Sequence, residues 1–250
     1  PNHHPDPAIA ANLADLKARV VREKLDFGVA FDGDADRIGA VDGGGRVIWG
    51  DQLIAIFAED LLRRLPGATV VADVKASRTL FDAVARYGGH PVMGPSGHSG
   101  VEAKMKVCDA ALGGELSGHV VFADDYFGFD DGLYAAVRLL AATVRLGKTL
   151  AELRDAMPET FNTPELRFHV EENRKFAAID EVRARLARAG ARVTDIDGVR
   201  VTSEDGWWLL RASNTQDALT ARAESGTQAG LDRLVGEIDA QLALSGLSRG

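Results

Sequence analysis

Residues 31–37 read FDGDADR, with carboxylates at Asp32, Asp34 and Asp36 and a guanidinium at Arg37 directly behind them. Like charges at this spacing repel one another, so the stretch calls for a bound cation or for a reacting acid. The donors are hard oxygens, which suit Mg2+ better than Zn2+. A calcium EF-hand loop is excluded. Counted from Asp32, its sixth and twelfth positions need Gly and Glu, and Arg37 and Gly43 stand there. A phosphatase with an aspartate nucleophile would share the D-x-D, but the Thr or Val expected two places after the second aspartate is Asp36. A solvated acidic turn is the plain alternative, and it leaves the clustered charge uncompensated.

Other short stretches carry chemistry of different kinds. DVKASR (73–78) places Lys75 just after an apolar run, where an amine binds phosphate or exchanges a proton. GPSGHSG (94–100) presents His98 from a glycine-rich turn, an acid or base near neutral pH. GGELSGH (113–119) offers a carboxylate, a hydroxyl and an imidazole at Glu115, Ser117 and His119, a set suited to sugar hydroxyls. RASNTQD (211–217) combines Arg211 with Ser213, Asn214 and Thr215, donors that fit a phosphate. Each of these would read as ordinary polar surface if it stood alone. HHPDP (3–7) sets two histidines between prolines and reads as a rigid turn or linker rather than a metal site.

The elements that must position these groups follow from patterning. LDFGVAF (25–31) is a buried strand ending at the aspartates, and IGAVD (38–42) is the next strand, turned back by the glycines of DGGGR. Asp51 is expected to cap a helix with Leu53, Phe57, Leu61 and Leu65 on its apolar face. Strands at 68–74, 90–94 and 110–114 alternate with helices at 77–87 and through VEAKMK. Asp130 or Asp131 starts a helix with Leu133, Val137, Leu140 and Val144 on one face, and Thr149 with Glu152 makes a capping box for another. This alternation predicts an α/β domain with a mainly parallel sheet. After Pro158 the pattern changes to a strand, TPELRFHV, and then a helix with Phe176, Ile179, Val182 and Leu186 inward. Four short strands and a last helix through Leu231, Leu234, Val235, Ile238 and Leu242 complete an α+β domain.

Composition bounds the partners. The 250 residues carry a net charge of −8, which argues against nucleic acid or an anionic membrane as the main partner. No run of roughly 20 apolar residues is present to span a bilayer. The single cysteine, Cys108, allows no internal disulfide and reads as a buried, inert thiol, so a reducing, cytoplasmic setting is expected.

Taken in order, PNHHPDP, FDGDADR, DVKASR, GHS, GELSGH and RASNT resemble segments of the α-D-phosphohexomutase family, which includes phosphomannomutase and phosphoglucomutase. The resemblance spans nearly the whole chain. It implies the latter part of a second domain at 1–48, a Rossmann-like α/β third domain at 49–158 and a fourth, antiparallel α+β domain at 159–250. By the same resemblance Asp32, Asp34 and Asp36 match Mg2+ ligands, and Arg37 sits at the reacting phosphoryl group. Lys75 and His98 match residues of proton transfer or phosphate contact. Glu115 and Ser117 match sugar contacts, and Arg211, Ser213, Asn214 and Thr215 match the phosphate clamp. GELSGH looks like the mannose/glucose type of sugar loop. The implied activity is an isomerisation of mannose or glucose 1- and 6-phosphates through a phosphoserine and a hexose 1,6-bisphosphate. Two departures matter. Ala35 stands where the family often has glycine, which is compatible unless the backbone needs positive φ. The family's phosphoserine segment, T-A-S-H-N-P, does not occur in these 250 residues. The chain is therefore expected to lack the first domain and part of the second, and to be inactive by itself. A non-catalytic sugar-phosphate binding module and an aspartate-nucleophile phosphatase are the rival readings.

Overall fold

A computed structural model describes residues 3–213 and 216–248. Two compact units divide the chain, Pro1–Pro158 and Glu159–Gly250.

The first unit opens with helix α1 (Ala14–Glu23), followed by strands β1 (Phe27–Phe31), β2 (Ile38–Asp42) and β3 (Val47–Ile48) in an antiparallel sheet of order β1-β2-β3. Phe31 pairs with Ile38, so the six residues 32–37 are the loop of a hairpin. Asp42, fully buried, shapes the next turn by accepting the amides of Gly44 and Arg46 at 3.0 and 2.9 Å. The two-residue β3 gave no sequence signal, because alternation needs a longer run.

Helix α2 (Gly50–Arg64) corrects the expected cap. Asp51 lies inside the first turn, and the Gln52 side chain instead accepts the N–H of Trp49 at 3.0 Å. The Asp51 carboxylate is buried, accepting the amides of Gln52 at 2.9 Å and Ser77 at 3.1 Å. Leu53, Phe57 and Leu61 face the core, whereas Leu65 falls past the end of the helix and is exposed.

Strand β4 (Thr69–Asp73), helix α3 (Arg78–Arg86), strand β5 (His90–Gly94), helix α4 (His98–Cys108), strand β6 (Leu112–Gly114) and strand β7 (Val120–Phe122) follow. The sheet order is β5-β4-β6-β7, with β4 parallel to both neighbours and β7 antiparallel to β6. Helix α4 is longer than VEAKMK and begins at His98, which therefore sits in a first helical turn. Cys108 ends that helix half-buried rather than buried.

Helices α5 (Gly132–Leu146) and α6 (Leu150–Asp155) close the unit. Asp131 caps α5 through the amide of Tyr134 at 2.9 Å, and Thr149 caps α6. The apolar face of Leu133, Val137, Leu140 and Val144 points outward, at 55–73% exposure. The buried stripe is Ala135, Leu139, Ala142 and Leu146. Small alanines let the helix lie close on Phe122 and α2, which large side chains would prevent.

In the second unit, strands β8 (Phe161–Asn162) and β9 (Leu166–His169) precede helix α7 (Glu172–Arg188). Then come β10 (Arg192–Thr194), β11 (Val199–Ser203), β12 (Gly206–Ala212), β13 (Ala218–Ser225) and helix α8 (Gln228–Ala243). The antiparallel sheet runs β10-β11-β12-β13-β8, and β9 also pairs with β13. Val201, Trp208, Leu210, Leu219 and Ala221 meet Ile179, Val182, Leu234 and Ile238 of the two helices in one core. Phe176 is exposed, contrary to the expected inward face, and its neighbour Lys175 is buried. The reason is polar: Lys175 Nζ donates to the carbonyls of Ser213 at 2.8 Å and Gln216 at 3.3 Å. Among the described residues no helix is long and apolar enough to cross a membrane.

Candidate active site

The hairpin loop 32–37 is closed by its own ends. Asp32 accepts the Arg37 amide at 3.1 Å and Arg37 Nε at 2.6 Å. Arg37 also donates to Asp6 at 3.1 Å, so HHPDP does more than link: its aspartate reaches into the site. Ala35 adopts φ +63°, the left-handed region, and its carbonyl accepts the Gly132 amide at 2.9 Å. The backbone thus needs the positive φ for which glycine is the unstrained residue. The turn leaves Asp32, Asp34 and Asp36 with one carboxylate oxygen each within 4.8 Å of the others.

Electrostatics separate the three. Burial would raise the Asp32 carboxyl, but hydrogen bonds from Arg37 outweigh it and hold Asp32 below the usual carboxylate range. Burial pushes Asp36 up; His119 opposes this, and Asp32 and Asp34 add to it. Asp36 Oδ1 is buried and accepts no hydrogen bond among the described residues. An orphaned carboxylate oxygen beside two others fits a hard divalent cation, which needs several oxygens at about 2.1 Å.

The remaining candidates of the first unit rise from the carboxyl ends of β4, β5 and β6, where the strand order reverses about β4. Lys75 follows β4, its amine 3.7 Å from the buried Asp73. Asp73 accepts the Leu116 amide at 3.3 Å, tying β4 to the 115–119 turn. Glu115, at 3% exposure, accepts the Gly97 amide at 2.7 Å, so it braces the turn against the start of α4. Ser117 is half-buried and His98 is exposed.

The aspartate loop docks on this turn. The Ile38 amide donates to the Gly118 carbonyl at 3.0 Å, and Arg37 pairs with His119 as an antiparallel bridge. Gly118 has φ +100°, and a Cβ there would lie 2.4 Å from the Ile38 carbonyl; Gly50 is as constrained, 2.4 Å from the Glu115 carbonyl. His119 Nδ1 donates to Asp130 at 2.6 Å and lies 3.7 Å from Asp36. Asp32, Asp34, Asp36, Arg37 and His119 are thus brought together, with Glu115, Ser117, Lys75 and His98 on loops joined to the same turn.

The second unit carries its own cluster. Arg211, buried near the end of β12, donates to Asp197 at 3.0 Å. Ser213 Oγ accepts the Gln216 amide at 3.2 Å, and the Ser213 amide donates to the Ala218 carbonyl at 2.9 Å. Asn214 and Thr215 lie outside the described residues. A cavity of about 600 Å3 is lined by Arg167, His169, Gln216, Asp217 and Ala218.

Sequence reasoning missed Asp6, Asp130 and Lys175. Asp130 had a signal, since only one of Asp130 and Asp131 caps α5 and the other is left for His119. The partners of Asp6 and Lys175 are 31 and 38 residues away, beyond any local pattern.

Family models agree with this arrangement along the chain. Phosphoglucomutase/phosphomannomutase alpha/beta/alpha domain II matches residues 1–45, alpha/beta/alpha domain III matches 49–161, and the C-terminal domain matches 165–241. A phosphomannomutase/phosphoglucomutase of Pseudomonas syringae pv. tomato is 44% identical over 242 residues, 97% of this chain and 52% of the relative. A phosphoglucomutase of Neisseria gonorrhoeae is 43% identical over 236 residues, 94% of this chain and 51% of the relative. The solved structure of a phosphoglucomutase/phosphomannomutase family protein from Burkholderia thailandensis superimposes with a TM-score of 0.90 at 41% identity, over 98% of this chain and 52% of that one. The N-acetylphosphoglucosamine mutase of Aspergillus fumigatus, solved with GlcNAc-6P and magnesium, shares the fold with a TM-score of 0.67 at 17% identity, over 98% and 54%. The chain spans about half the length of the curated relatives it matches.

Proposed function

This chain belongs to the phosphoglucomutase/phosphomannomutase family, and from that premise we propose that it serves the interconversion of hexose 1-phosphate and hexose 6-phosphate through a hexose 1,6-bisphosphate. The observation that carries the reading is the docking of the aspartate loop on the 115–119 turn, which sets Arg37 beside His119. A phosphoryl group and a sugar hydroxyl would meet there. The boundaries 1–48, 49–158 and 159–250 belong to the same reading.

In this reading Asp32, Asp34 and Asp36 hold Mg2+, which when bound neutralises charge on a transferring phosphoryl group. Arg37, fixed by Asp32 and Asp6, directs a permanent positive charge at the phosphoryl oxygens and needs no reorganisation as the reaction proceeds. Lys75 and His98 handle the proton of the sugar hydroxyl. Asp130 holds His119 in the tautomer with Nδ1–H, leaving Nε2 for the substrate. Glu115 and Ser117 serve the sugar hydroxyls, and Glu115 does so from a position locked onto Gly97. Arg211, Ser213, Asn214 and Thr215 grip the phosphate that does not react. The phosphoryl carrier is a serine of the family's T-A-S-H-N-P segment, so the partner of these 250 residues is the serine-bearing part of the enzyme.

Calorimetry with glucose 1,6-bisphosphate and Mg2+ tests the site. We expect binding that Arg211→Ala weakens more than about tenfold, since a charge-assisted hydrogen bond contributes about 1.5–3 kcal/mol. No binding would overturn the site. In a coupled assay from glucose 1-phosphate these 250 residues alone should give no turnover, and robust turnover would remove the serine from its role.

A further inference from the structure

Lys175 is a charged side chain for which the proposed chemistry has no task. It stands early in α7 at 2% exposure, and lysine is almost never fully buried unless its charge is paired. An ammonium has three N–H donors and no acceptor. Here three acceptors meet it: the Ser213 carbonyl at 2.8 Å, the Gln216 carbonyl at 3.3 Å and the Glu172 carboxylate at 2.5 Å. The Phe176 ring lies 5.2 Å from the amine. With its donors matched in this way, the amine acts through the groups it holds rather than on a ligand.

Two of those groups belong to the loop between β12 and β13. Ser213 and Gln216 stand on either side of Asn214 and Thr215, and Arg211 lies two residues before Ser213. Bonds within the loop close its neck. The Ser213 amide donates to the Ala218 carbonyl at 2.9 Å, and the Gln216 amide donates to Ser213 Oγ at 3.2 Å. Those bonds join the loop to itself. Lys175 joins it to α7, whose Ile179, Val182 and Leu186 are buried in the core of the second unit. Ile179 and Val182 follow Lys175 at four and seven residues, so one helix face carries both the core contacts and the amine.

Burying an ammonium is costly, and an apolar residue would fill the same space without that cost. An apolar residue would not hold two carbonyls. Donors arranged before a phosphate arrives bind it better than donors that must be ordered on binding. Charge-assisted hydrogen bonds from one buried amine supply that arrangement.

We propose that Lys175 is a positioning residue for a phosphate-binding loop. By holding the Ser213 and Gln216 carbonyls, it sets Arg211, Ser213 and their neighbours for a sugar phosphate that it does not touch. This rests on the reading of the loop as the phosphate clamp, and the test separates the two. Phosphorus NMR follows glucose 6-phosphate, with Mg2+ present, as the 250-residue chain is added. The unaltered chain should shift the signal saturably, and Arg211→Ala should weaken that binding. Lys175→Met, close in volume but without donors, should weaken it at least about tenfold and move the bound signal away from its wild-type position. Val182→Ala, buried on the same helix, should lower the urea midpoint yet leave the affinity and the bound signal unchanged. That comparison separates positioning from stability. If circular dichroism shows that Lys175→Met does not fold, Lys175→Gln replaces it. It keeps an amide donor, and its expected loss is at least about threefold. The inference is overturned if the lysine variant binds like the unaltered chain while Arg211→Ala does not. It is overturned equally if Val182→Ala weakens binding as much as the lysine variant does. Wild-type binding that is absent, or that Arg211→Ala leaves unchanged, overturns the clamp itself and this inference with it.

Discussion

Ala35 is where the sequence and the backbone disagree. Its φ of +63° sets the turn that gathers the three carboxylates, and its carbonyl receives the start of α5. An L-residue with a Cβ in this region costs about 1–2 kcal/mol, while glycine loses about 0.5–1 kcal/mol more backbone entropy. Ala35→Gly should therefore stabilise the fold by a net of up to about 1.5 kcal/mol, read as a higher urea midpoint with an unchanged slope. A lower midpoint would mean the strain is absent. The chemistry-bearing residues were legible because their types are rare in such company: three aspartates in five positions, or Glu, Ser and His in one glycine-flanked turn. What Glu115 actually holds was not legible. Its acceptance of the Gly97 amide depends on two loops that meet only when β5 and β6 flank β4.

At the scale of elements, strands and helices followed from period and punctuation, and the shortest pieces did not. Strands β3, β7 and β8 have two or three residues, too few to show alternation, whereas the equally short β6 falls within the stretch 110–114 read as a strand. Helix α5 was legible as a helix but not in its orientation. Its large aliphatic residues and its alanines recur at the same spacing, and only packing decides that the alanines go inside. Arg138 fixes that choice. It is buried, lies 4.2 Å over the Phe122 ring, and donates twice to Asp124 at 2.8 Å. Arg64 of α2 donates to the same carboxylate at 2.9 Å. Burial would raise Asp124, but these hydrogen bonds hold it below its ordinary value of 3.8. The unfolded chain then binds a proton at a higher pH than the folded one does. Stability from this cluster is fully present above pH 3.8 and falls as the pH drops through the folded value. Asp124→Asn should cost about 3 kcal/mol at neutral pH. Its deficit should shrink in acid, as chemical denaturation at the two pH values will show. A deficit independent of pH would count against the pairing.

At the scale of the molecule, each unit contains a core of its own. The second needs no residue before Glu159 to bury Trp208, Leu210, Leu219, Leu234 and Ile238. Residues 159–250 expressed alone should therefore unfold in one cooperative thermal transition by far-UV circular dichroism. A broad, non-cooperative melt would contradict an independent core. The contrast between the two units was legible as a change from strands alternating with helices to a run of consecutive strands. The pairing of both β8 and β9 with β13 was not, because register between distant strands is set by contacts rather than by local pattern.

Asp51 adds a matter of timing. One carboxylate receives the amide of Gln52, at the start of α2, and that of Ser77, which caps α3. The starts of two helices thus share a single latch, between residues 26 positions apart. When it opens, both amide protons become available to solvent together, so in deuterated water they should show one common protection factor, lower than those of the helix interiors. The aspartate expected to start one helix instead synchronises two.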